Sequence, residues 1–292
     1  MPENRFYLPA GSTGTHPVTV AVTPDTAGWA ETSLWVAELA AGESVGRPSG
    51  DDEILVVPLS GSMTVSCGDG GFVLAGRHSV FAGPTDFTYI GRDSDFRVAS
   101  HSGARVAFCG ARARRQLPFR YVGAEDVPIE LRGAGTCSRE VHNFAAADVF
   151  EADSIIACEV ITPGGNWSSY PAHKHDENTA TETQLEEIYY FEIAEGGDGS
   201  AGFGYHRVYG TAARPIEVLE EVRSGDTVLV PHGYHGPSIA APGHHMYYLN
   251  VMAGSGPLRA WRVSFDPHQD WLRRTWRHQD IDPRLPLRIS GD

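Results

Sequence analysis

"SYPAHKHDENTATETQLEEIYYFEI", residues 169–193, carries two histidines two apart, a long polar run, and two glutamates opening an aromatic segment. On an extended chain, residues i and i+2 share a face. His173 and His175 then project together, and Lys174 projects away. In the segment that follows, Glu187 and Tyr189 share one face, and Glu186 and Tyr190 share the other. Further along, "GDTVLVPHGYHGP" (225–237) ends an apolar run with His232 and His235. Imidazoles and a carboxylate from three segments suit a divalent transition metal such as Mn, Fe, Co, Ni or Zn. An HxH pair alone is a weak signal and is equally at home in a solvated loop. HxH, then a glutamate opening an aromatic strand, then G-x5-P-x-G-x-H is stronger, because a barrel must bring three strands to one mouth to use it.

The rest of the chain supports a barrel. Short β-branched and aromatic runs recur, among them "ILVVPLSGSMTVS", "SIIACEVITP", "DTVLVP" and "HMYYLNVMAG", with turn residues between them. This spacing predicts an all-β barrel or sandwich with few short helices. The one fair helix candidate is "DPHQDWLRRTW" near the C-terminus. A weak internal repeat relates the halves: "EILVVPLSGSMTV" from Glu53 resembles "EIYYFEIAEGGDG" from Glu187, and "GRHSVFAGPTDF" from Gly76 resembles "GDTVLVPHGYH". Two copies of one small barrel are expected, with the divide in the proline- and glycine-bearing segment near residues 117–139. We place an N-terminal barrel at 1–120 and a C-terminal barrel at 121–292. The first half has "GRPSGDDE" where HxH should stand and no histidine in "GPTDF". It is expected to lack metal ligands, with Glu53 a structural carboxylate.

The chain has 292 residues and a formal net charge of -14, which argues against nucleic acid and anionic membrane surfaces as partners. No apolar run approaches a membrane span, and "MPENRFYLPAGSTGTHP" does not read as a secretory signal. Cys67, Cys109, Cys137 and Cys158 show no CxxC spacing, which fits reduced cysteines and a cytoplasmic location. Lys174 is the sole lysine among 23 basic residues. An interface or structural role is expected for it.

The two motifs resemble the paired motifs of the cupin superfamily, with a longer gap before the glutamate and the last histidine one residue closer to P-x-G. "TPGGNWSSYPAHKHD", "LEEIYYFEI", "HRVYG", "YYLNVMAG" and "DPHQDW" are together similar to the 5-deoxy-glucuronate isomerase family of myo-inositol breakdown, densely from about Ser138 to Trp271. Ala172 and Gly236 stand where prolines are expected, and His206 where a glutamine is. The resemblance implies a bicupin of two tandem jelly-roll barrels. It implies one divalent metal per chain, zinc foremost, held by His173, His175, Glu187 and His235. His232 is the alternative to His235, and the cupin pattern prefers Glu187 to Glu186.

The implied reaction converts the aldose 5-deoxy-D-glucuronate into the ketose 2-deoxy-5-keto-D-gluconate. It needs a Lewis acid, a proton-transferring base and a cation for the distal carboxylate. Arg207 is the first candidate for the carboxylate and Arg262 the second, with Tyr189 as a hydroxyl donor. The base is not legible: bound hydroxide, Glu187 and His206 all remain open, and alternation turns His206 away from Arg207. The expected partner is a small sugar acid, and the reading allows a homo-oligomer. Competing readings are a metal-dependent cupin dioxygenase, a non-catalytic sugar-binding cupin, and a hexosulose-uronate isomerase of pectin breakdown.

Overall fold

The computed structural model describes residues 4–289. Nearly every regular element is a strand. The exceptions are a four-residue helix, Pro24–Ala27, and several 3-10 turns. Thr23 caps the short helix, its side chain accepting from the Thr26 amide. The C-terminal candidate forms a 3-10 helix, Asp270–His278, rather than an α-helix. No helix among the described residues is long and apolar enough to cross a membrane.

The second half is two facing sheets. One has seven strands in the order Tyr7–Leu8, Thr227–Val230, Glu186–Ile193, Met246–Ala253, Ile156–Thr162, Arg139–Ala145, Ile129–Arg132. The other is built on Glu217–Val222, Gly204–Tyr209, Tyr234–Ala240, His173–Lys174 and Ser264–Phe265, with Trp167–Ser168 alongside Tyr234–Ala240. The layers stack as in a jelly roll, but their edges do not join into one closed ladder. In the first half, nine strands form a single network around Asp52–Cys67, whose first part pairs with Phe87–Ile90 and Ala104–Arg112 and whose last part pairs with Gly70–Arg77 and Asp95–Ala99. Gly61 sits at the bend with φ 79°, where a Cβ would come within 2.4 Å of the Gly103 carbonyl oxygen.

The central strands of the seven-stranded sheet are buried on both faces, which explains runs such as Met246–Ala253 that are buried throughout rather than alternating. Tyr189, Phe191, Tyr248 and Met252 face the interior of the second half. Ile188, Tyr190, Tyr247 and Leu249 face the other way and join Leu34, Leu55, Val57 and Tyr89 of the first half in one shared apolar layer. Ile54, Val56, Met63 and Phe108 fill the interior of the first half.

Two glutamates lock the halves together in a matching way. Glu53, fully buried, accepts from the backbone amides of Asp153, Ser154 and Ile155 and from the Tyr89 hydroxyl at 2.6 Å. Glu186 accepts from the amides of Ala30, Glu31 and Thr32 at 2.8, 2.8 and 3.1 Å. Each carboxylate thus holds the segment leading into a strand of the opposite half. Glu53 is therefore the counterpart of Glu186, not of Glu187, and the sequence repeat is one residue out of register.

A buried ionic chain adds to the seam. Arg77 pairs with Glu159, His142 bridges Glu159 (3.1 Å) and Glu140 (2.8 Å), and Arg288 reaches Glu140 at 2.7 Å. Burial opposes the Glu159 charge, but Arg77 and His142 hold its carboxyl down at about 2. Burial likewise opposes a charge on His142, but its hydrogen bonds to Glu140 and Glu159 outweigh this and raise its pKa. Both ends of the chain cross over. Tyr7–Leu8 pairs with Thr227–Val230, and the Ile289 amide donates to the Phe81 carbonyl.

Candidate metal centre

His173 lies directly opposite His235 in the antiparallel pair of short and long strands, so their rings meet at 4.4 Å between centroids. His175, just past the strand, brings its ring within 4.6 Å of that of His235. One ligating atom from each of the three histidines falls within 4.8 Å of the others. Glu187 reaches the group from the facing sheet. Its Oε2 lies 2.9 Å from His175 Nε2 and 3.0 Å from His235 Nε2. Tyr189, two residues on, lines the same interior face. Glu186 takes the opposite face, as period two requires.

The donor geometry fits a metal ion. Two imidazole nitrogens converge on one carboxylate oxygen. The contact with His235 is short, yet among the described residues His235 Nε2 makes no properly aligned hydrogen bond and Glu187 Oε1 has no partner. Buried polar atoms left unpaired are costly, and a cation between them would satisfy both. Burial, with His235 and His175 nearby, holds the His173 pKa well below the usual histidine range, so its imidazole is neutral and free to ligate. Burial raises the cost of ionising Glu187, but His235 and His175 outweigh it and keep the carboxylate charged. Burial works against a charge on His175, yet the Glu187 hydrogen bond raises its pKa. A bound cation would replace that proton.

Around this group lie residues that the motifs did not single out. Ser169 Oγ joins the Tyr189 and Tyr248 hydroxyls, at 3.1 Å from each. Alternation in "YYLNVMAG" places Tyr248 and Asn250 on the interior face. His206 is fully buried, its ring tilted against that of Tyr189 at 4.5 Å between centroids, with Nδ1 bonded to Ser238 Oγ at 2.8 Å and Nε2 unpartnered among the described residues. Burial and the neighbouring His235 bring its pKa down to about 3.

The other candidates are elsewhere. His232 is half-buried and outside the cluster. Arg207 is the outward neighbour of His206; it lies over the Tyr209 ring and 3.7 Å from Glu217. Arg262 donates to the Ala180 carbonyl near the surface. The structure therefore brings neither arginine to the histidines. Strand alternation excludes Arg207 from the face that His206 occupies. Lys174 Nζ binds Asp176 Oδ1 at 2.7 Å and Glu182 Oε1 at 2.8 Å. It fastens the long insert between His175 and Glu187. Gly236, inside the strand Tyr234–Ala240 with φ 101°, would put a Cβ 1.8 Å from the Ser169 carbonyl oxygen, so this close approach depends on glycine. A cleft of about 510 Å3 at the seam, lined by Arg112, Arg114, Arg115 and Arg259, contains none of the histidines.

Two stacked jelly-roll halves, with a three-histidine, one-glutamate group inside the second, define a two-domain cupin. The KduI/IolB family model matches residues 6–272, and the chain belongs to that family. The 5-deoxy-glucuronate isomerase of Geobacillus kaustophilus is 39% identical over 272 residues, covering 92% of this chain and 95% of the relative. That of Bacillus subtilis strain 168 is 42% identical over 240 residues, covering 81% and 86%. The crystal structure of an IolB-like protein from Salmonella typhimurium superposes with a TM-score of 0.84 at 34% identity, covering 91% of this chain and 98% of that one. Oxalate decarboxylase from Lactobacillus farciminis shares the fold at a TM-score of 0.62 and 10% identity, covering 89% and 88%.

Proposed function

We propose that this chain is a metal-dependent isomerase that converts 5-deoxy-D-glucuronate to 2-deoxy-5-keto-D-gluconate in inositol catabolism. The observation that carries the reading is the convergence of His173, His175, His235 and Glu187, with unpaired donor atoms, in a chain about 40% identical to 5-deoxy-glucuronate isomerases over most of its length. The ligand set favours a single divalent ion, and zinc suits a redox-neutral reaction. The divide of the chain into a metal-free half at 1–120 and a metal-binding half at 121–292 belongs to the proposal, as does a cytoplasmic location.

The substrate is a six-carbon open chain with an aldehyde at one end and a carboxylate at the other. The proton on the carbon next to the aldehyde leaves and its electron pair passes into an enediolate; a proton returns at the former aldehyde carbon, and the hydroxyl proton of the neighbouring carbon passes to the former aldehyde oxygen. No net oxidation or reduction of the molecule occurs. His173, His175, Glu187 and His235 would hold a divalent metal, which when bound would supply a Lewis acid for the carbonyl oxygen. The chain's own residues orient the substrate. Tyr189 and Tyr248, linked through Ser169, offer hydroxyls on the interior face, and His206 offers a neutral, unpartnered Nε2 to a substrate hydroxyl. The packed aromatic walls of Tyr189, Phe191 and Tyr248 limit the entry of water.

Elemental analysis tests the metal. About one equivalent per chain is expected for the wild type, and a strong loss for His235→Ala, with an unchanged circular dichroism spectrum. A His235→Ala protein with full metal content and normal turnover would overturn the ligand assignment.

A further inference from the structure

Arg139 opens the strand Arg139–Ala145, where alternation places it on the same face as Val141. Val141 belongs to the interior layer of the second half, with Tyr189, Phe191 and Tyr248. Glu140 and His142 take the other face and serve the ionic chain at the seam. Arg139 is only 8% exposed. Its Nη1 donates to the Cys137 carbonyl at 3.1 Å, and it makes no ion pair among the described residues. Its neighbour across the ladder, Arg132, is held by Glu130 at 2.6 Å. Arg77, Arg105 and Arg288 also have glutamate partners.

A buried cation without a counter-ion is costly to the folded state. Burial draws the Arg139 guanidinium down to about 10, still cationic at neutral pH. The guanidinium carbon lies over the Trp276 ring, 5.6 Å from its centroid, and the buried Trp276 Nε1 has no acceptor within hydrogen-bond geometry among the described residues. A guanidinium with one carbonyl acceptor and no carboxylate, lying over an indole whose N–H has no acceptor, offers the donors that a carboxylate takes.

We infer that Arg139 receives the carboxylate of the sugar acid, with the Trp276 N–H as second donor, while the aldehyde end lies at the histidine cluster. This rests on the isomerase reading and adds the residue that selects acids over neutral sugars. Arg139 takes the place that sequence reasoning gave to Arg207. It was hidden because "CSREVHNF" carries no motif and its glutamate neighbour suggests a pair that alternation forbids.

The test compares wild type, Arg139→Met and Arg139→Lys on two aldoses: 5-deoxy-D-glucuronate, and the 5-deoxy hexose with CH2OH in place of the carboxylate. Binding of D-glucarate, an acid without an aldehyde, is measured separately by calorimetry. Arg139→Met should raise KM for the acid about 100-fold, as expected for the loss of a charged bidentate contact. It should abolish the preference for the acid while keeping the wild-type metal content. Arg139→Lys keeps the charge without the fork and should recover part of the preference. It carries the comparison if the methionine variant does not fold. A variant that loses both aldoses in equal proportion, or binds D-glucarate as tightly as wild type, overturns the assignment. A wild type that isomerises neither sugar but binds D-glucarate through Arg139 would sink the isomerase reading and leave this one standing.

Discussion

Glu186→Gln should destabilise the protein without removing its metal. The carboxylate accepts from three backbone amides of the other half: Ala30 on one oxygen, and Glu31 and Thr32 on the second. Glutamine keeps one oxygen. Placed on the pair Glu31 and Thr32, it leaves an amide NH2 facing the Ala30 N–H. Two hydrogen bonds then lose their charge assistance, about 1 kcal/mol each from the difference between charged and neutral acceptors. The third bond passes to water, because Ala30 is exposed, at a cost of roughly 0.5–1 kcal/mol. The sum is about 2–3 kcal/mol, or a fall in Tm of roughly 4 °C for a chain of this size. Differential scanning fluorimetry at matched metal loading measures it, with metal content read in parallel. Wild-type stability combined with lost metal would refute the reasoning, because it would put Glu186 rather than Glu187 on the interior face.

Three further outcomes follow from the seam and the insert. Glu53→Gln, in a fully buried site with four donors, should cost more than Glu186→Gln, roughly 3–5 kcal/mol; a milder loss in urea melts would contradict the matching-lock picture. His142 has a raised pKa, so its contribution is fully present below the ordinary histidine value and is lost as pH rises through the folded one. Urea midpoints should therefore fall more steeply in wild type than in His142→Gln as pH rises above the ordinary histidine value, and equal slopes would exclude this role. Lys174→Met should loosen the insert at 176–185 and speed its proteolysis by at least about tenfold, since it leaves Asp176 and Glu182 without their shared cation; unchanged cleavage would show that Arg214, which pairs with Asp176, suffices.

The fold was legible because strand patterning is local. Short apolar runs broken by glycine and proline identified strands, and period two put Glu187 with Tyr189 and His206 opposite Arg207. What period two could not supply was which face of each strand met which neighbour. The seven-stranded sheet is apolar on both sides, so "EIYYFEI" and "MYYLNVMA" hide the difference between the interior and the seam. That ambiguity matched Glu53 with Glu187, although both seam glutamates are defined by backbone amides a hundred or more residues away. Arg139 was missed for a related reason: the lack of a partner is a property of three-dimensional surroundings. Arg207 drew attention by its aromatic neighbours, which lie with it on the outer face.

The most direct test of the central claim follows 5-deoxy-D-glucuronate by proton NMR under nitrogen, with metal-loaded, chelator-stripped and reloaded protein. Loss of the aldehyde signal and growth of the ketose are expected without oxygen, abolished by stripping and restored by a divalent ion. Turnover that survives complete removal of metal, or that requires oxygen, would contradict it.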